Sequence, residues 1–355
     1  MSRVVVCSIV TKSHLSHART LAQTLRAHDP EAELHVLLAD RVDGAFDPET
    51  EPFHLIPLES LGGAHADAVK RMTFYYSPVE LCCGLRGLLH QYMLDHTSAD
   101  AWVFLDADIM VCASLAPVFA QLATASIVLN PHRTTPAPLA AADPEELNVL
   151  RSGVYNAGFV AIRRTDEARR FVRWFAERLE RFAFDDHTVY RNRALFADQL
   201  WLNLVPGYFR EVQFCTHPGA NLAHWNLLER SITRDESGRF MANGEPLLFV
   251  HFSGWDIERP SLVSRYAPAP EFDGNVSWGA LGRLYREKLL ANGYESTSDA
   301  PYAFASFEDG THITPMDRHY YYDRLLDGTW SSGSPFRAAV VPRADRGRSW
   351  RRFFA

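Results

Sequence analysis

The distribution of apolar residues divides the chain into short strand-like runs separated by segments of helical periodicity. Val4–Val10 is a run rich in Val and Ile, and Leu15–His28 repeats apolar residues at the spacing of one helix face. A second apolar run follows at residues 34–38. A strand–helix–strand order predicts two parallel strands joined by a right-handed crossover. The chain therefore opens in the manner of an α/β protein.

The same alternation predicts the remaining elements. We predict strands at residues 53–58, 102–111, 125–130, 154–162, 212–214 and 247–252, and helices at residues 78–94, 115–122, 166–182, 281–292 and 317–326. A Pro- and Ala-rich stretch at residues 134–147 is predicted to be a loop or a mobile lid. The pattern indicates an α/β fold with a mostly parallel mixed sheet in residues 1–270, followed by a helical extension with a basic tail in residues 271–355.

Residues 101–115 carry the strongest chemical signal, because two carboxylates interrupt an apolar run that reads as one strand. Burial of an unpaired carboxylate is costly, so Asp106 and Asp108 need a partner. Residues i and i+2 of an extended chain point the same way, which would direct both side chains to one point at the carboxyl edge of the sheet. Two hard oxygen donors there favour Mg²⁺ or Mn²⁺. Two solvated turn aspartates are the alternative.

Composition narrows the classes of function. The 355 residues carry a formal net charge of −7, which argues against a nucleic-acid binder. Five cysteines without a C-x-x-C pair argue for a reducing compartment and against a disulfide framework or a structural zinc site. No stretch of about 18 apolar residues occurs. We therefore expect no transmembrane segment and a cytoplasmic protein, with peripheral contact to a membrane as an open alternative.

Further chemistry-bearing residues recur where predicted strands end or helices begin. A glycine in a strand admits close approach of a ligand, an amide offers both a donor and an acceptor, and an imidazole at a strand end can bind a metal. Structural roles are the alternative: a solvated helix charge for Arg86, a helix-terminal charge for Asp198 and a packed histidine for His251. The residues concerned are Thr11, Arg86, Asn156, Gly158, Asp198, Gln199, His251 and Gly254.

Taken in order, these motifs resemble those of the GT-A glycosyltransferases, and more closely the family-8-like group of retaining enzymes, of bacterial type. The matching features are a polar loop after the first strand, D-x-D at residues 106–108, N-A-G at 156–158, D-Q at 198–199 and H-x-x-G at 251–254. They cover roughly residues 3–257. The resemblance implies a GT-A fold, which is a Rossmann-like α/β/α sandwich, and a metal-dependent hexosyltransferase that uses a nucleotide-diphosphate sugar.

The resemblance also implies a role for each matching residue. Asp106 and Asp108 would hold Mn²⁺ or Mg²⁺ together with His251. The catalytic groups near the anomeric carbon and the sugar hydroxyls would be Asp198, Gln199 and Asn156. The donor would be bound by Val10, Thr11, Lys12, Arg86, Asp106, Ala107, Asp108, Gly158 and Gly254. Of these, residues 10–12 would border the nucleoside, and Gly254 would let the diphosphate approach the backbone.

The implied reaction moves a hexose, with UDP as the commonest nucleotide of the group, to a glycan, a lipid-linked saccharide, a protein or a small molecule. Two positions depart from the family's pattern. Trp255-Asp256 follows the H-x-x-G motif, where relatives commonly carry a lysine for the diphosphate, and Leu200 stands where some carry a second aspartate. The resemblance implies retention, and because no nucleophile is apparent we expect a front-face mechanism in which a diphosphate oxygen is the base.

Three other functions stay open. A phosphohydrolase of the HAD type also places D-x-D after a strand, although usually near the N-terminus. A nucleotidyltransferase normally has a glycine-rich basic loop where this chain has Thr11-Lys12-Ser13. A non-catalytic carbohydrate-binding protein could use the same fold.

The C-terminal tail is rich in arginine and has no apolar period. We predict that it is disordered, that it forms a basic patch for an acceptor or a membrane surface, or that it packs as an arm. Its arginines are Arg337, Arg343, Arg346, Arg348, Arg351 and Arg352.

Overall fold

The computed structural model describes residues 4–186, 195–260, 262–266, 276–330 and 333–337. The strands are β1 (Val4–Val10), β2 (Glu33–Leu38), β3 (His54–Ile56), β4 (Ala101–Leu105), β5 (Ile109–Val111), β6 (Ile127–Pro131), β7 (Tyr155–Arg163), β8 (Asp185–Asp186), β9 (Leu195–Phe196), β10 (Val212–Phe214), β11 (Ile232–Arg234), β12 (Phe240–Ala242), β13 (Glu245–Pro246) and β14 (Phe249–His251). The helices are α1 (Leu15–His28), α2 (Ala66–Tyr75), α3 (Pro78–His96), α4 (Ala116–Gln121), α5 (Ala142–Ser152), α6 (Asp166–Phe182), α7 (Gln199–Leu202), α8 (Val205–Tyr208), α9 (Val276–Ala291), α10 (Tyr294–Thr297) and α11 (Pro315–Leu326).

A seven-stranded sheet in the order β10-β6-β7-β4-β1-β2-β3 forms the centre of the molecule. Its strands pair in parallel, except that β7 runs antiparallel to both β4 and β6. The described residues also form the smaller sheets β11-β12-β13, β14-β5 and β8-β9. The predicted α/β class with a mostly parallel mixed sheet is therefore confirmed.

Helices cover both faces of the central sheet, because successive strand residues point to opposite faces. In β1, Cys7 and Ile9 belong to the apolar cluster that contains the buried faces of α3 and α6. Val6 and Val10 belong to the cluster that contains the buried face of α1. The core consequently lies in two layers, one on each side of the sheet.

Local capping signals explain why two of the long helices begin where they do. At the start of α3, the Ser77 hydroxyl accepts from the Glu80 amide and the Glu80 carboxylate accepts from the Ser77 amide. Pro78 occupies the first turn, where its missing N–H costs nothing. At the start of α6, the Thr165 hydroxyl accepts a 3.1 Å hydrogen bond from the Ala168 amide. Both helix starts can therefore be predicted from residues that lie three positions apart in the sequence.

The prediction of one strand at residues 102–111 is wrong, because the chain leaves the central sheet at the two aspartates. β4 ends at Leu105, and β5 pairs antiparallel with β14 in a separate sheet. A turn joins β4 to β5, closed by a 3.1 Å hydrogen bond from the Ile109 amide to the Asp106 carbonyl. The two carboxylates converge through this turn rather than through the pleat of an extended strand.

The prediction of a loop or lid at residues 134–147 is also wrong in part, because α5 begins within it at Ala142. Pro144 falls in the first turn of the helix, where proline is tolerated. Before the helix, the Thr134 and Thr135 amides donate to the Glu229 carboxylate at 2.9–3.1 Å. The segment is therefore tied to the body of the protein at its start and helical at its end.

The C-terminal helices pack on the α/β body. On α9, Trp278, Leu281 and Tyr285 lie in an apolar cluster with Phe252. On α11, Tyr321 lies edge to face against Phe74 of α2, with ring centroids 5.0 Å apart. The division at residues 270 and 271 stays a prediction, since residues 267–275 lie outside the described ranges. The predicted basic tail beyond residue 337 lies outside them too. Within the described ranges, no helix combines the length and hydropathy that crossing a bilayer requires.

Candidate active site

Polar side chains from four elements meet where β4 ends and β7 begins. Asp106 directly follows β4, and the antiparallel pairing of Leu105 with Phe159 brings the first residues of β7 beside it. The Asp106 amide donates to the Gly158 carbonyl at 2.9 Å. β14, which pairs with β5, delivers His251 to the same place. Strand pairing therefore assembles the D-x-D, N-A-G and H-x-x-G motifs at one edge of the sheet, as the resemblance implied.

Asp106, Asp108 and His251 form a compact group of metal-ligating side chains. The His251 Nε2 atom lies 3.1 Å from Asp108 Oδ1 and 3.8 Å from Asp106 Oδ2. One ligand atom from each residue lies within 4.8 Å of the other two. The imidazole is buried, whereas the Asp106 and Asp108 side chains are 27% and 33% exposed. A buried imidazole beside two partly exposed carboxylates suits Mn²⁺ or Mg²⁺, with room on the solvent side for further oxygen ligands.

Gly158 leaves the space that this group needs. A Cβ atom at this position would lie 2.5 Å from His251 Cε1, 2.7 Å from Asp106 Oδ2 and 2.8 Å from Asn156 Oδ1. Real Cβ atoms do not approach other heavy atoms so closely, so any side chain would displace a candidate ligand. The residues present therefore fit a divalent cation, and the predicted close approach at Gly158 is an approach of these ligands.

Hydrogen bonds orient the His251 ring. Its Nδ1 atom lies 3.2 Å from Asn156 Oδ1 and 3.3 Å from Asn221 Oδ1, so Nδ1 carries a proton and Nε2 faces the aspartates. Burial lowers the pKa of His251, but the Asp108 and Asp106 carboxylates outweigh it and raise that pKa above its usual value. A metal ion must displace the Nε2 proton to bind, so the affinity of the site for the metal should decrease as the pH is lowered.

A chain of buried asparagines behind His251 escaped the sequence prediction. Asn221 Nδ2 donates to Asn156 Oδ1 at 3.1 Å and to Asn130 Oδ1 at 2.9 Å, and Asn130 Nδ2 donates to the Cys215 carbonyl at 2.8 Å. The stretch at residues 218–226 was the available signal, since its asparagine, histidine and tryptophan side chains are of the kind that a sugar-binding loop exposes. Asn221 and Asn226 are instead buried and bonded inside the protein, with Asn226 Nδ2 donating to the Asn221 carbonyl at 2.9 Å.

Arg86 connects three parts of the site. Its Nη2 atom donates to Asp106 Oδ1 at 2.5 Å, and its Nη1 atom donates to Asp198 Oδ2 at 2.7 Å and to the Ala157 carbonyl at 2.8 Å. The guanidinium lies 4.6 Å above the Phe104 ring. Burial by itself lowers the pKa of Arg86, but the two carboxylates raise it by more than burial lowers it, so the side chain stays charged. The alternative of a solvated helix charge is wrong for this residue.

Asp198 does not cap α7, although it stands at its N-terminus. Its side chain makes no capping hydrogen bond and pairs with Arg86 instead. Burial raises the pKa of the Asp198 carboxyl, and the Arg86 guanidinium opposes that rise. The interpretation as a helix-terminal charge is therefore wrong, and the structure joins Asp198 to the metal-ligating group through Arg86.

The side-chain amide of Gln199 forms hydrogen bonds with the protein backbone and with Asn156. Its Oε1 atom accepts from the Ala157 amide at 3.1 Å and from Asn156 Nδ2 at 3.2 Å, and its Nε2 atom donates to the Ser152 carbonyl at 2.9 Å. It thus fixes the start of β7 against the end of α5. Its predicted contact with a sugar hydroxyl stays a prediction.

Val10, Thr11 and Lys12 lie at the end of β1 and are all buried. Val10 and Ala107 both belong to the apolar cluster that contains the buried face of α1. The Lys12 ammonium pairs with Asp43 and lies 3.9 Å from Asp40 Oδ1. Its charge is therefore compensated. The predicted nucleoside contacts of residues 10–12 stay predictions.

Gly254 is not open in this structure. It has φ +67°, and a Cβ atom there would lie 2.4 Å from a carbon of the Tyr266 ring. The Arg265 amide donates to the Gly254 carbonyl at 3.0 Å, which holds Tyr266 in place. A diphosphate that approached this backbone would have to displace the Tyr266 ring. No sequence signal showed that residues 264–266 return to this point.

The fold and the site together define an α/β protein with a candidate divalent-metal site at the carboxyl edge of its sheet. No protein-family model matches the chain. It is similar to two Bacillus subtilis (strain 168) proteins. The uncharacterized protein YfnD is 27% identical over 341 residues, which is 90% of this chain and 99% of that protein. The uncharacterized protein YfnF is 22% identical over 258 residues, which is 71% of this chain and 81% of that protein.

Solved structures of glycosyltransferases also resemble the chain at low identity. The crystal structure of the galactosyltransferase LgtC, in complex with donor and acceptor sugar analogs, aligns with a TM-score of 0.46 and 15% identity. The alignment covers 84% of this chain and 97% of that chain. These values are too low to carry an activity from one protein to the other, so the function is inferred from the site itself.

Proposed function

We propose that the protein is a metal-dependent glycosyltransferase that moves a hexose from a nucleotide-diphosphate sugar to an acceptor. The observation that supports this most strongly is the group formed by Asp106, Asp108 and His251. It lies where β4 ends, at the carboxyl edge of the mostly parallel sheet, where α/β proteins bind nucleotides. Its two carboxylates are partly exposed, and its imidazole is already oriented by Asn156 and Asn221.

The three side chains would hold Mn²⁺ or Mg²⁺, which when bound would neutralise charge on the two phosphates of the donor. Arg86 keeps Asp106 oriented by binding its other oxygen, so Oδ2 is left to face His251. Arg86 also binds Asp198 and the Ala157 carbonyl, which holds Asp198 beside the start of β7. These contacts fix the geometry of the site before any ligand arrives, which is what electrostatic catalysis requires.

Retention of configuration is part of the proposal. Asp198 is a buried carboxylate that Arg86 joins to Asp106, and its Oδ2 atom is bound to Arg86, which lowers its nucleophilicity. In the proposed step the bond from the anomeric carbon to the phosphate oxygen breaks while the acceptor oxygen bonds to the same face. The acceptor proton passes to the departing diphosphate oxygen. UDP is the proposed nucleotide, and the acceptor is a glycan, a lipid-linked saccharide, a protein or a small molecule.

The phosphohydrolase alternative receives no support from the geometry. In that chemistry the first aspartate of D-x-D attacks phosphorus and must present a free oxygen. Asp106 has one oxygen bound to Arg86 at 2.5 Å and the other 3.8 Å from the His251 imidazole. A role as an oriented metal ligand accounts for both contacts.

The direct test is release of nucleotide from UDP-, GDP-, ADP- and dTDP-sugars, measured with Mn²⁺ and with EDTA. We expect release from one donor, and its loss with EDTA. Calorimetry of the free nucleotides with Mn²⁺ runs beside it, because some transferases turn over only with acceptor present. Neither turnover nor nucleotide binding across the panel would refute the proposal. Binding without turnover in the presence of candidate acceptors would favour the carbohydrate-binding alternative.

Asp108→Asn tests the metal assignment. The change keeps the shape of the side chain but removes its charge, so we expect donor turnover and Mn²⁺ affinity each to fall at least about 100-fold. Because about a third of this side chain is exposed, the melting temperature should change little. Asp95→Asn, at an exposed position on α3, is the matched control and should leave both quantities unchanged. Unchanged turnover in Asp108→Asn would remove the metal assignment.

A further inference from the structure

We propose that Glu33, His35 and His54 form a second metal site, suited to Zn²⁺, on the edge of the central sheet. The three residues belong to β2 and β3 and take no part in the proposed transferase site. The cysteine pattern that argued against a structural zinc site does not bear on histidine ligands. The proposal therefore stands or falls independently of the function proposed above.

Strand pairing brings the three side chains to one place. β2 and β3 pair in parallel, and His35 is directly opposite His54 in the register. Glu33 precedes His35 by two residues on the same strand, so both side chains point to the same face. β3 is the terminal strand of the seven-stranded sheet, so solvent reaches this group from the open edge. A shift of one residue in this register would send His54 to the opposite face.

The distances are close to those of a tetrahedral site. Glu33 Oε2 lies 3.5 Å from His35 Nε2 and 3.8 Å from His54 Nε2. One ligand atom from each residue lies within 4.8 Å of the other two. Bonds of about 2.0–2.1 Å at tetrahedral angles separate ligand atoms by about 3.4 Å. The His35 and His54 rings are tilted against each other, with centroids 4.8 Å apart and an interplanar angle of 31°, so binding of one ion requires side-chain rotations that turn both Nε2 atoms toward it.

The set of donor atoms selects the ion. Two imidazoles and one carboxylate suit Zn²⁺ and other late divalent metals, whereas Mg²⁺ and Ca²⁺ prefer oxygen ligands. The Asp106, Asp108 and His251 group has the opposite balance, with two carboxylates and one imidazole. The His54 side chain is 64% exposed, so a water molecule can complete the coordination. The two sites thus differ in the metal they favour.

The position of the cluster indicates a structural role for the ion. His35 lies five residues before Asp40, which sits at the Lys12 end of the sheet, so the cluster is about 16 Å along the strand from that end. β3 has only three residues and is held to the sheet by one neighbour. An ion bound by residues of both strands would fasten this short edge strand, and would stabilise only the folded chain.

Zinc titration of the full-length chain tests the proposal. The transferase site also binds divalent ions, so the measurement is made by calorimetry in Asp108→Asn and again in Asp108→Asn with His54→Ala. We expect one zinc equivalent in the first chain and its loss in the second. Co²⁺ should give the visible absorption of a tetrahedral site in the first chain alone. Zinc should raise the melting temperature of the first chain and not that of the second.

His96→Ala is the matched control, because His96 is exposed at the end of α3 and belongs to neither metal-ligating group. It should leave the zinc equivalent intact. Repeating the titration with otherwise unaltered protein guards against misfolding of Asp108→Asn, and there His54→Ala should reduce the zinc stoichiometry by one. Equal zinc binding with and without His54, or no zinc equivalent in Asp108→Asn, would overturn the proposal.

Discussion

At the scale of single residues, His90 shows how burial fixes a protonation state. It is fully buried on α3, and its Nδ1 atom accepts a 3.0 Å hydrogen bond from Trp102 Nε1. The rings of Phe104 and Phe175 lie 5.9 and 6.4 Å away. Burial, with a smaller contribution from Arg86, lowers the pKa of His90 to about 3. The imidazole is therefore neutral in the folded protein at every pH above that value.

We predict that His90 makes the fold sensitive to acid. The unfolded chain takes up a proton near pH 6.5, whereas the folded chain does not until about pH 3, so stability is lost as the pH falls between these values. The loss reaches about 1.4 kcal/mol per pH unit for this one group. Denaturant unfolding of His90→Gln, which keeps an acceptor for Trp102, should show a slope of stability against pH that is shallower by this amount.

The exposed His96→Gln provides the comparison for His90→Gln, because its pH dependence should equal that of the unaltered protein. Other buried histidines with lowered pKa values, among them His132 at about 4, remain in both chains. Their contributions to the pH dependence of stability are therefore the same in both proteins and do not affect the difference between the two slopes. Parallel curves for His90→Gln and the unaltered protein between pH 6.5 and 4.5 would show that His90 is not the acid-sensitive group.

At the scale of elements, α3 connects the metal-ligating group to Asp198 in the candidate site. Arg86 on this helix reaches Asp106 after β4, the Ala157 carbonyl on β7 and Asp198 before α7. Three elements distant in sequence are thereby held by one planar side chain. A lysine has the same charge, but a single ammonium cannot span the same three acceptors.

We predict that Arg86→Lys lowers donor turnover at least 10-fold and costs about 2 kcal/mol of stability. Arg86→Met should cost more, about 3–5 kcal/mol, because it leaves two carboxylates without their cation. Turnover and denaturant unfolding measure these effects. Arg71→Lys on α2 is the control: its pair with Glu180, at 3.3 Å, is partly exposed and should contribute under about 1 kcal/mol. Equal effects in the two lysine variants would mean that the guanidinium geometry at Arg86 is unimportant.

At the scale of the whole molecule, the C-terminal helices behave in this structure as part of the α/β body. Arg318 on α11 is buried and donates to three carbonyls, at 2.5 Å to Phe74, 2.7 Å to Tyr76 and 2.9 Å to Phe304. The Asp40 carboxylate accepts from the Ala303 amide at 3.0 Å, close to the end of β1. Residues beyond 300 therefore contact both the α2–α3 junction and the predicted nucleoside end of the site.

We predict that Arg318→Ala lowers the free energy of unfolding by about 3 kcal/mol and that the protein still unfolds in one transition. The reason is that three buried carbonyls lose a charged donor at once. Calorimetric melting and denaturant unfolding test both statements. Arg283→Ala, at an exposed position of α9, should change stability by no more than about 0.5 kcal/mol. A separate early transition in Arg318→Ala would instead support an independent C-terminal unit beginning near residue 271.

Several features of this protein were determined by the sequence alone, because they depend on neighbours a few residues apart. Periodicity placed β1, α1 and α6 at their observed bounds, and the Ser77-Pro78 and Thr165 signals placed two helix starts. The D-x-D triplet could also be recognised from the sequence, because carboxylates inside an apolar run are costly to bury without a partner. The ordered motifs were enough to predict that His251 would join them.

Tertiary structure alone decided how those residues meet, because strand register and side-chain partners depend on residues far apart in sequence. It placed a turn, not a pleat, between Asp106 and Asp108, and it put Tyr266 over Gly254. It also placed His35 opposite His54, although neither histidine belongs to a sequence motif. Pairing between distant strands is fixed by the packing of the whole core, which no local pattern encodes.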